Sequence, residues 1–352
     1  MTDNSGKILR SIRPGKVIFP VIIGFVVTAF LFYKEYDPSS FDAFSFTFFS
    51  LFWLVASLLM MVLRDIGYMV RIRILTGGDL SWRKAFNIIM LWEFTSAITP
   101  SAVGGTSVAI FFLNKEGIRL GRATGVVMVT SFLDELFFVL MFPLVLLFIG
   151  VNNLFQSSLV SGGWLDHFVV IALLGYFLKL AYIIVLSYGL FYNPRGLKRL
   201  LLLIFKWSLL RKWRPQANEA GNDLIETSRF FKNWPFNSWL KAFGATCVSW
   251  IARYWVVNTL IISFLGFSHL GLFEHFIVFG KQLVMWIMML VSPTPGGSGF
   301  AEYVFKEFLS SYIPVGGGIA LALLWRLISY YPYLLIGAIV VPKWINKHFV
   351  RR

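Results

Sequence analysis

Cysteine is almost missing from these 352 residues: Cys247, inside an apolar stretch, is the only one, so no intrachain disulfide is possible. Histidine is nearly as scarce. His167, His269, His275 and His348 show no metal-ligand spacing beyond the His269/His275 pair, whose simpler reading is coincidence at a membrane interface. Neither an HExxH motif, nor an acidic metal cluster, nor a Ser–His or Cys–His pair at helical spacing is present, so nothing indicates a metal, a cofactor or covalent catalysis. Charge is thin as well. Charged residues make up 14%, against about 25% in soluble domains.

What is abundant is apolar: 57% hydrophobic residues and a mean hydropathy of +0.72. Long uncharged blocks such as Val17–Tyr33 and Ala43–Leu63 approach the length needed to cross a bilayer core of about 30 Å. The first block follows a basic N-terminus but has no small-residue cleavage site and runs into Lys34–Glu35, so it reads as a retained helix rather than a signal peptide. The formal charge of +15 does not indicate nucleic acid, because the basic residues lie between apolar spans. The class expected is an all-α, polytopic membrane helix bundle whose partners are membrane lipids.

Basic residues orient the spans. Lys7, Arg10, Arg13 and Lys16 place the N-terminus in the cytoplasm, and the acidic loop Lys34–Asp42 lies outside. Arg64, Arg71, Arg73, Arg83 and Lys84 read as loop charges that bring the chain back inside. Ala85–Leu113 is interrupted by Pro100-Ser101-Ala102-Val103-Gly104-Gly105 and followed by Lys115, Arg119 and Arg122, again inside; this is the pattern of a re-entrant hairpin. Ala123–Ile149 crosses outward and His167–Leu190 returns to a loop, Phe191–Lys241, with ten basic residues: Arg195, Lys198, Arg199, Lys206, Arg211, Lys212, Arg214, Arg229, Lys232 and Lys241. Ala242–Leu265 goes out, and Phe273–Val291 meets a second break at Pro293-Thr294-Pro295-Gly296-Gly297-Ser298-Gly299. After the last span, Gly316–Val341, the tail of Lys343, Lys347, Arg351 and Arg352 is inside, in a multi-pass protein of the cytoplasmic or inner membrane.

Six full crossings and two hairpins entering from opposite faces satisfy this pattern. It is the arrangement of an inverted repeat, with residues 1–150 as one half, 151–190 a linking span, 191–241 a basic loop and 242–342 the second half. Simple kinks in full spans satisfy the same charges. Where a break starts a new helix, unpaired N–H groups and the dipole favour an anion, and glycine admits a close ligand. Pro100, Gly104, Gly105, Thr106, Pro295, Gly296, Gly297 and Ser298 are therefore candidate substrate-binding residues, with Thr106, Ser107 and Ser298 as caps.

Ionisable residues inside apolar spans are the second signal. Arg326 is the foremost candidate countercharge, with Arg253 and Lys281 beside it; Arg253 has a cation–π alternative among Trp250, Tyr254 and Trp255. Glu93, Asp134 and Glu302 are candidates for a cationic headgroup or a coupling proton, although Glu302 would also suit the first turn of its helix on dipole grounds alone. Lys179 fits snorkelling or a carboxylate partner. Asp134 and Glu135 project about 100° apart on one helix and form no dyad. The run Leu197–Trp213 is too basic to span and fits either an interfacial helix on the inner leaflet or plain positive-inside bias.

The segments Thr99–Thr106 (TPSAVGGT), Lys115-Glu116-Gly117, Pro293–Glu302 (PTPGGSGFAE) and Trp325–Tyr330 (WRLISY) resemble the lysylphosphatidylglycerol synthase/flippase transmembrane-region family over roughly residues 15–342. That resemblance implies a bundle with re-entrant helices and, for the characterised branch, movement of a phospholipid between leaflets. By position it carries over Pro100, Gly104 and Gly105, then Pro295, Gly296, Gly297 and Glu302, and Arg326. Two features depart from it. Asp134-Glu135-Leu136 stands where the family often has a Glu-Arg pair, and the chain ends at Arg352 without the aminoacyl-transferase domain of bifunctional members, so no transferase activity is expected. Transport of a phospholipid or another amphipathic anion is the leading expectation. An intramembrane enzyme acting on a lipid phosphate and a membrane partner of a soluble lipid synthase, docking through 191–241, are its rivals. The oligomeric state is open, a dimer included.

Overall fold

Apolar runs of this length must close their backbone hydrogen bonds internally, and the structure, a computed structural model, does so with helices. It describes residues 47–99, 102–155, 165–207, 211–289, 299–314 and 317–350, with Phe30, Tyr33 and Gly297. Helix α1 (Phe48–Leu75) opens with a capping box in which the Thr47 hydroxyl accepts from the Ser50 amide at 3.2 Å. Its 28 residues extend about 42 Å, enough to cross a bilayer core. Gly77 and Gly78, both at positive φ, then turn the chain. Next come α2 (Trp82–Ile98) and α3 (Ala102–Lys115), followed by the long α4 (Leu120–Ile149) and the short α5 (Val151–Phe155). Helix α6 (Leu165–Ser187) ends in a wider turn at Tyr188–Tyr192. Two helices, α7 (Pro194–Ile204) and α8 (Arg214–Phe231), pack on each other, and α8 lies on α4. The chain then runs through α9 (Phe236–Leu265), α10 (Leu272–Met289), α11 (Phe300–Leu309), α12 (Gly317–Ser329) and α13 (Tyr331–Ile345).

Among the described residues, five stretches are long and apolar enough to cross a membrane: Phe48–Leu75, Leu120–Ile149, Ala172–Tyr192, Phe236–Leu265 and Gly317–His348. They coincide with five of the six expected crossings; the sixth, Val17–Tyr33, lies outside the described residues apart from Phe30 and Tyr33. The protein is an all-α polytopic membrane bundle. Burial ranks the spans: 72% of the apolar window of α9 is buried, against 17% for Ala172–Tyr192, so α9 is central and α6 peripheral.

The antiparallel pair α1/α9 forms the spine. Small residues let the two backbones approach, as helices in lipid require: a Cβ on Gly67 would stand 2.2 Å from Ser249 Oγ and 2.9 Å from the Ala245 carbonyl. Hydroxyls bridge the seam along its length. Ser249 Oγ donates to the Arg64 carbonyl at 3.0 Å, Ser57 Oγ to Thr259 Oγ1 at 2.8 Å and Ser263 Oγ to the Ser50 carbonyl at 2.7 Å. Around this spine the neighbours correspond. α2 contacts α1, α3 and α13; in the same order, α10 contacts α9, α11 and α4. α3 packs on α4 as α11 packs on α12, and α4 and α12 each touch both spine helices.

Two expectations are corrected. The second span does not stop at Leu63: α1 continues to Leu75, so Arg64 and Arg71 are buried helical residues, 1% and 5% exposed, and not loop charges. The last apolar stretch is not one regular helix. It breaks at Tyr330 (φ −130°, ψ −57°) just ahead of Pro332, which has no N–H to donate.

Candidate functional site

The broken, charge-bearing helices converge on a cavity of about 610 Å³, within the size range of small-ligand sites. α1 contributes Arg64, Tyr68 and Arg71; α2 contributes Trp92, Glu93 and Ser96; Thr99 and Thr106 flank the first break. From α4 come Thr130, Ser131 and Asp134, and from α9 Trp250, Arg253 and Tyr254. Gln282 and Trp286 of α10, Gly297, and the Trp325–Tyr333 segment with Arg326 close the wall. Residues from the edges of both breaks therefore meet in one space.

Buried charges persist when partners hold them, and three of the four wall arginines have carboxylate partners. Arg71 bonds Asp134 and the Thr246 hydroxyl at 3.1 Å, while Trp250 Nε1 donates to the same carboxylate at 2.7 Å. Arg326 Nε donates to Glu302 Oε1 at 2.9 Å, and its guanidinium lies 4.1 Å from the Tyr330 ring centroid. Arg64 faces two carboxylates, Asp65 at 2.9 Å and Glu93, and the Tyr333 hydroxyl donates to Asp65 at 2.9 and 3.0 Å. Arg253 differs. It stands 5.7 and 5.8 Å from the ring centroids of Trp250 and Trp286, with no carboxylate at ion-pair distance among the described residues. The cation–π setting expected for it is present, with Trp286 in place of Trp255. Three further polar atoms on this wall, Arg64 Nε, Thr130 Oγ1 and Tyr254 OH, are buried with no hydrogen-bond partner among the described residues.

Of the residues singled out by sequence, Glu93, Thr106, Asp134, Arg253, Gly297 and Arg326 line the cavity. Glu302 stands behind it. One oxygen holds Arg326, and the other accepts the amide of Gly299, the N-cap residue of α11, at 2.7 Å. The charge at this helix start is thus the chain's own carboxylate, the first-turn placement that the dipole argument allowed for Glu302. Gly297 and Gly299 sit at φ +70° and +83°, where a side chain would be strained. Gly104 falls in the first turn of α3, while Gly105 packs against Ser96, a Cβ there lying 2.1 Å from Ser96 Oγ; its lack of a side chain serves the α2/α3 contact. Since α3 starts at Ala102, Thr106 is in its second turn and not at its cap. Lys281 is fully buried away from this wall, 5.8 and 5.6 Å from the ring centroids of Phe308 and Tyr312. Pro100, Pro295, Gly296 and Ser298 lie outside the described residues.

Sequence reasoning missed Arg64, Arg71, Asp65 and Tyr333. A signal existed: Arg64, Tyr68 and Arg71 recur at i, i+4 and i+7, one face of a helix. The arginine absent from the Asp134-Glu135 motif is replaced from elsewhere. Arg71 serves Asp134, and Lys179 of α6 serves Glu135 at 2.6 and 2.8 Å, so the divergent pair reaches two different helices. His269 contacts the Tyr312 carbonyl and His275 the Asn258 side chain, so the histidine pair shares no site.

The model of the lysylphosphatidylglycerol synthase TM region matches residues 17–337, and the chain belongs to that family. A UPF0104 membrane protein of Archaeoglobus fulgidus is 27% identical over 311 residues, covering 85% of each chain. No solved structure gives a significant match.

Proposed function

We propose that this protein moves a phospholipid, or another amphipathic anion with the same phosphate chemistry, between the leaflets of the cytoplasmic membrane, with both termini inside. The headgroup enters the central cavity and its phosphate rests on Arg253, the wall arginine with no carboxylate of its own among the described residues. That unmatched cation in a polar, aromatic cavity is the observation that carries the reading. Thr130 and Tyr254 offer hydrogen bonds to headgroup oxygens, and the paired arginines supply polarity without excess charge. The matched neighbours of α1–α4 and α9–α13 support two repeat halves, with α2/α3 and α10/α11 as opposed hairpins that rock around this site. The wall's chemistry supports a transport reading: the carboxylates are engaged by arginines, and the lining is aromatic and polar.

The purified protein in liposomes should redistribute an acyl-labelled phospholipid between leaflets. A hydrogen bond to a charged group contributes about 1.5–3 kcal/mol, so Arg253→Ala should slow the movement about tenfold or more, with Arg253→Lys intermediate and thermal stability unchanged. A rate equal to that of empty liposomes would refute the proposal.

A further inference from the structure

Among the described residues, charge around the cavity is balanced in total but not locally. Arg71 is matched to Asp134, Arg326 to Glu302 and Lys179 to Glu135. Arg64 instead holds both Asp65 and Glu93, while Arg253 holds neither. One surplus carboxylate and one surplus cation therefore face the same space from adjoining helices, since the α1/α9 register sets Ser249, one turn before Arg253, against Arg64.

An anion seated on Arg253 removes that compensation and leaves Arg64 with one carboxylate too many. Uncompensated charge away from bulk water is costly, and a carboxylate relieves it by taking a proton. Both candidates are partly open, the side chains of Asp65 and Glu93 being 18% and 23% exposed, and Glu93 itself lines the cavity. The charged and titratable groups facing them are Arg64 and Tyr68 from α1, Arg253 from α9 and Tyr333 from α13. None is a lysine or a histidine that would take up the proton instead. Independently of these charges, the Thr130 and Tyr254 hydroxyls, without a partner among the described residues and on residues 4% and 5% exposed, mark the same space as built for a polar ligand.

We propose that the Arg64–Asp65–Glu93 cluster takes up one proton when a phosphodiester monoanion seats on Arg253, so that anion movement through the cavity is proton-coupled. The balance closes: the ligand adds one negative charge, the proton cancels it, and the loaded site keeps the charge of the empty one. Crossing hydrocarbon is least costly in that neutral state. This inference rests on the transport reading above and adds its energy source. Because a proton is taken up on binding, affinity for the anion rises as pH falls, until the cluster is protonated even without ligand.

The test uses the full chain in phosphatidylcholine vesicles with acyl-labelled phosphatidylglycerol, which carries a phosphodiester and no amine, and an entrapped pH dye. Lipid movement under subsaturating label should accelerate by up to about tenfold per unit fall in pH, and a lipid gradient should drive a dye-detected proton flux. Glu93→Gln and Asp65→Asn each remove the surplus charge. In both, the ratio of rates at about pH 5.5 and about pH 7.5 should fall toward one, whatever the absolute rates. Lipid movement that ignores pH and leaves the dye unchanged overturns the coupling while the transport reading stands. A pH ratio that survives in both variants overturns the assignment to this cluster. No lipid movement at either pH removes the transport reading and the coupling with it.

Discussion

Glu302 invites a quantitative test, because the structure makes it a strut and not a ligand. Its side chain is 2% exposed and its partner Arg326 5%, so neither is screened by bulk water. Glu302→Ala removes the carboxylate that holds the Arg326 Nε and frees the Gly299 amide at the start of α11. Breaking a buried pair from one side costs about 3–5 kcal/mol, roughly a hundredfold or more in the unfolding equilibrium. Glu302→Gln keeps an acceptor for Gly299 and loses only the charge, for about 1.5–3 kcal/mol. Removing both charges, as in Glu302→Ala with Arg326→Met, leaves no orphaned ion and should recover much of the loss, with a coupling energy of about 2 kcal/mol or more. The assay is reversible unfolding in mixed micelles of the unaltered protein, Glu302→Ala, Glu302→Gln, Arg326→Met and the double variant. Additive effects, with coupling below about 0.5 kcal/mol, would show that the pair is not the link between α11 and α12 described above.

Two further outcomes follow from the packing. Gly67→Val pushes a side chain into Ser249 Oγ and the Ala245 carbonyl, forcing α1 and α9 apart; overpacking costs about 1–3 kcal/mol and should lower the melting temperature in detergent, while an unchanged value would contradict the spine. Arg71→Ala should cost about 2 kcal/mol, less than Glu302→Ala, because Asp134 is 24% exposed and keeps its Trp250 bond; chemical unfolding measures it, and a loss above that of Glu302→Ala would reverse the ranking.

Much of this fold was readable because membrane helices announce themselves locally. Long uncharged blocks located the described spans, and the glycine–proline interruptions fell where α2 ends at Ile98 and α11 begins at Phe300. What stayed hidden was pairing over distance. Charge counting treats a basic residue near a span's end as a marker of the inner side, and so Arg71 read as a loop cation; its partner Asp134 is 63 residues away and only folding brings them together. Glu302 illustrates the converse. Its place in a first turn was legible from the dipole argument, but the Arg326 contact was not, because it depends on how α11 and α12 cross. Arg326, the foremost candidate countercharge by sequence, lines the cavity but is held by Glu302, whereas Arg253 has no carboxylate neighbour among the described residues.

The central claim is that an amphipathic anion places its phosphate on Arg253 inside the cavity shared by the two breaks. An experimental density map of the protein in nanodiscs of anionic phospholipid tests it most directly. The account predicts headgroup density within hydrogen-bond distance of the Arg253 guanidinium, its acyl chains leaving between helices. A cavity holding only water, with Arg253 turned onto Asp65 or Glu93 in an ion pair, would contradict it.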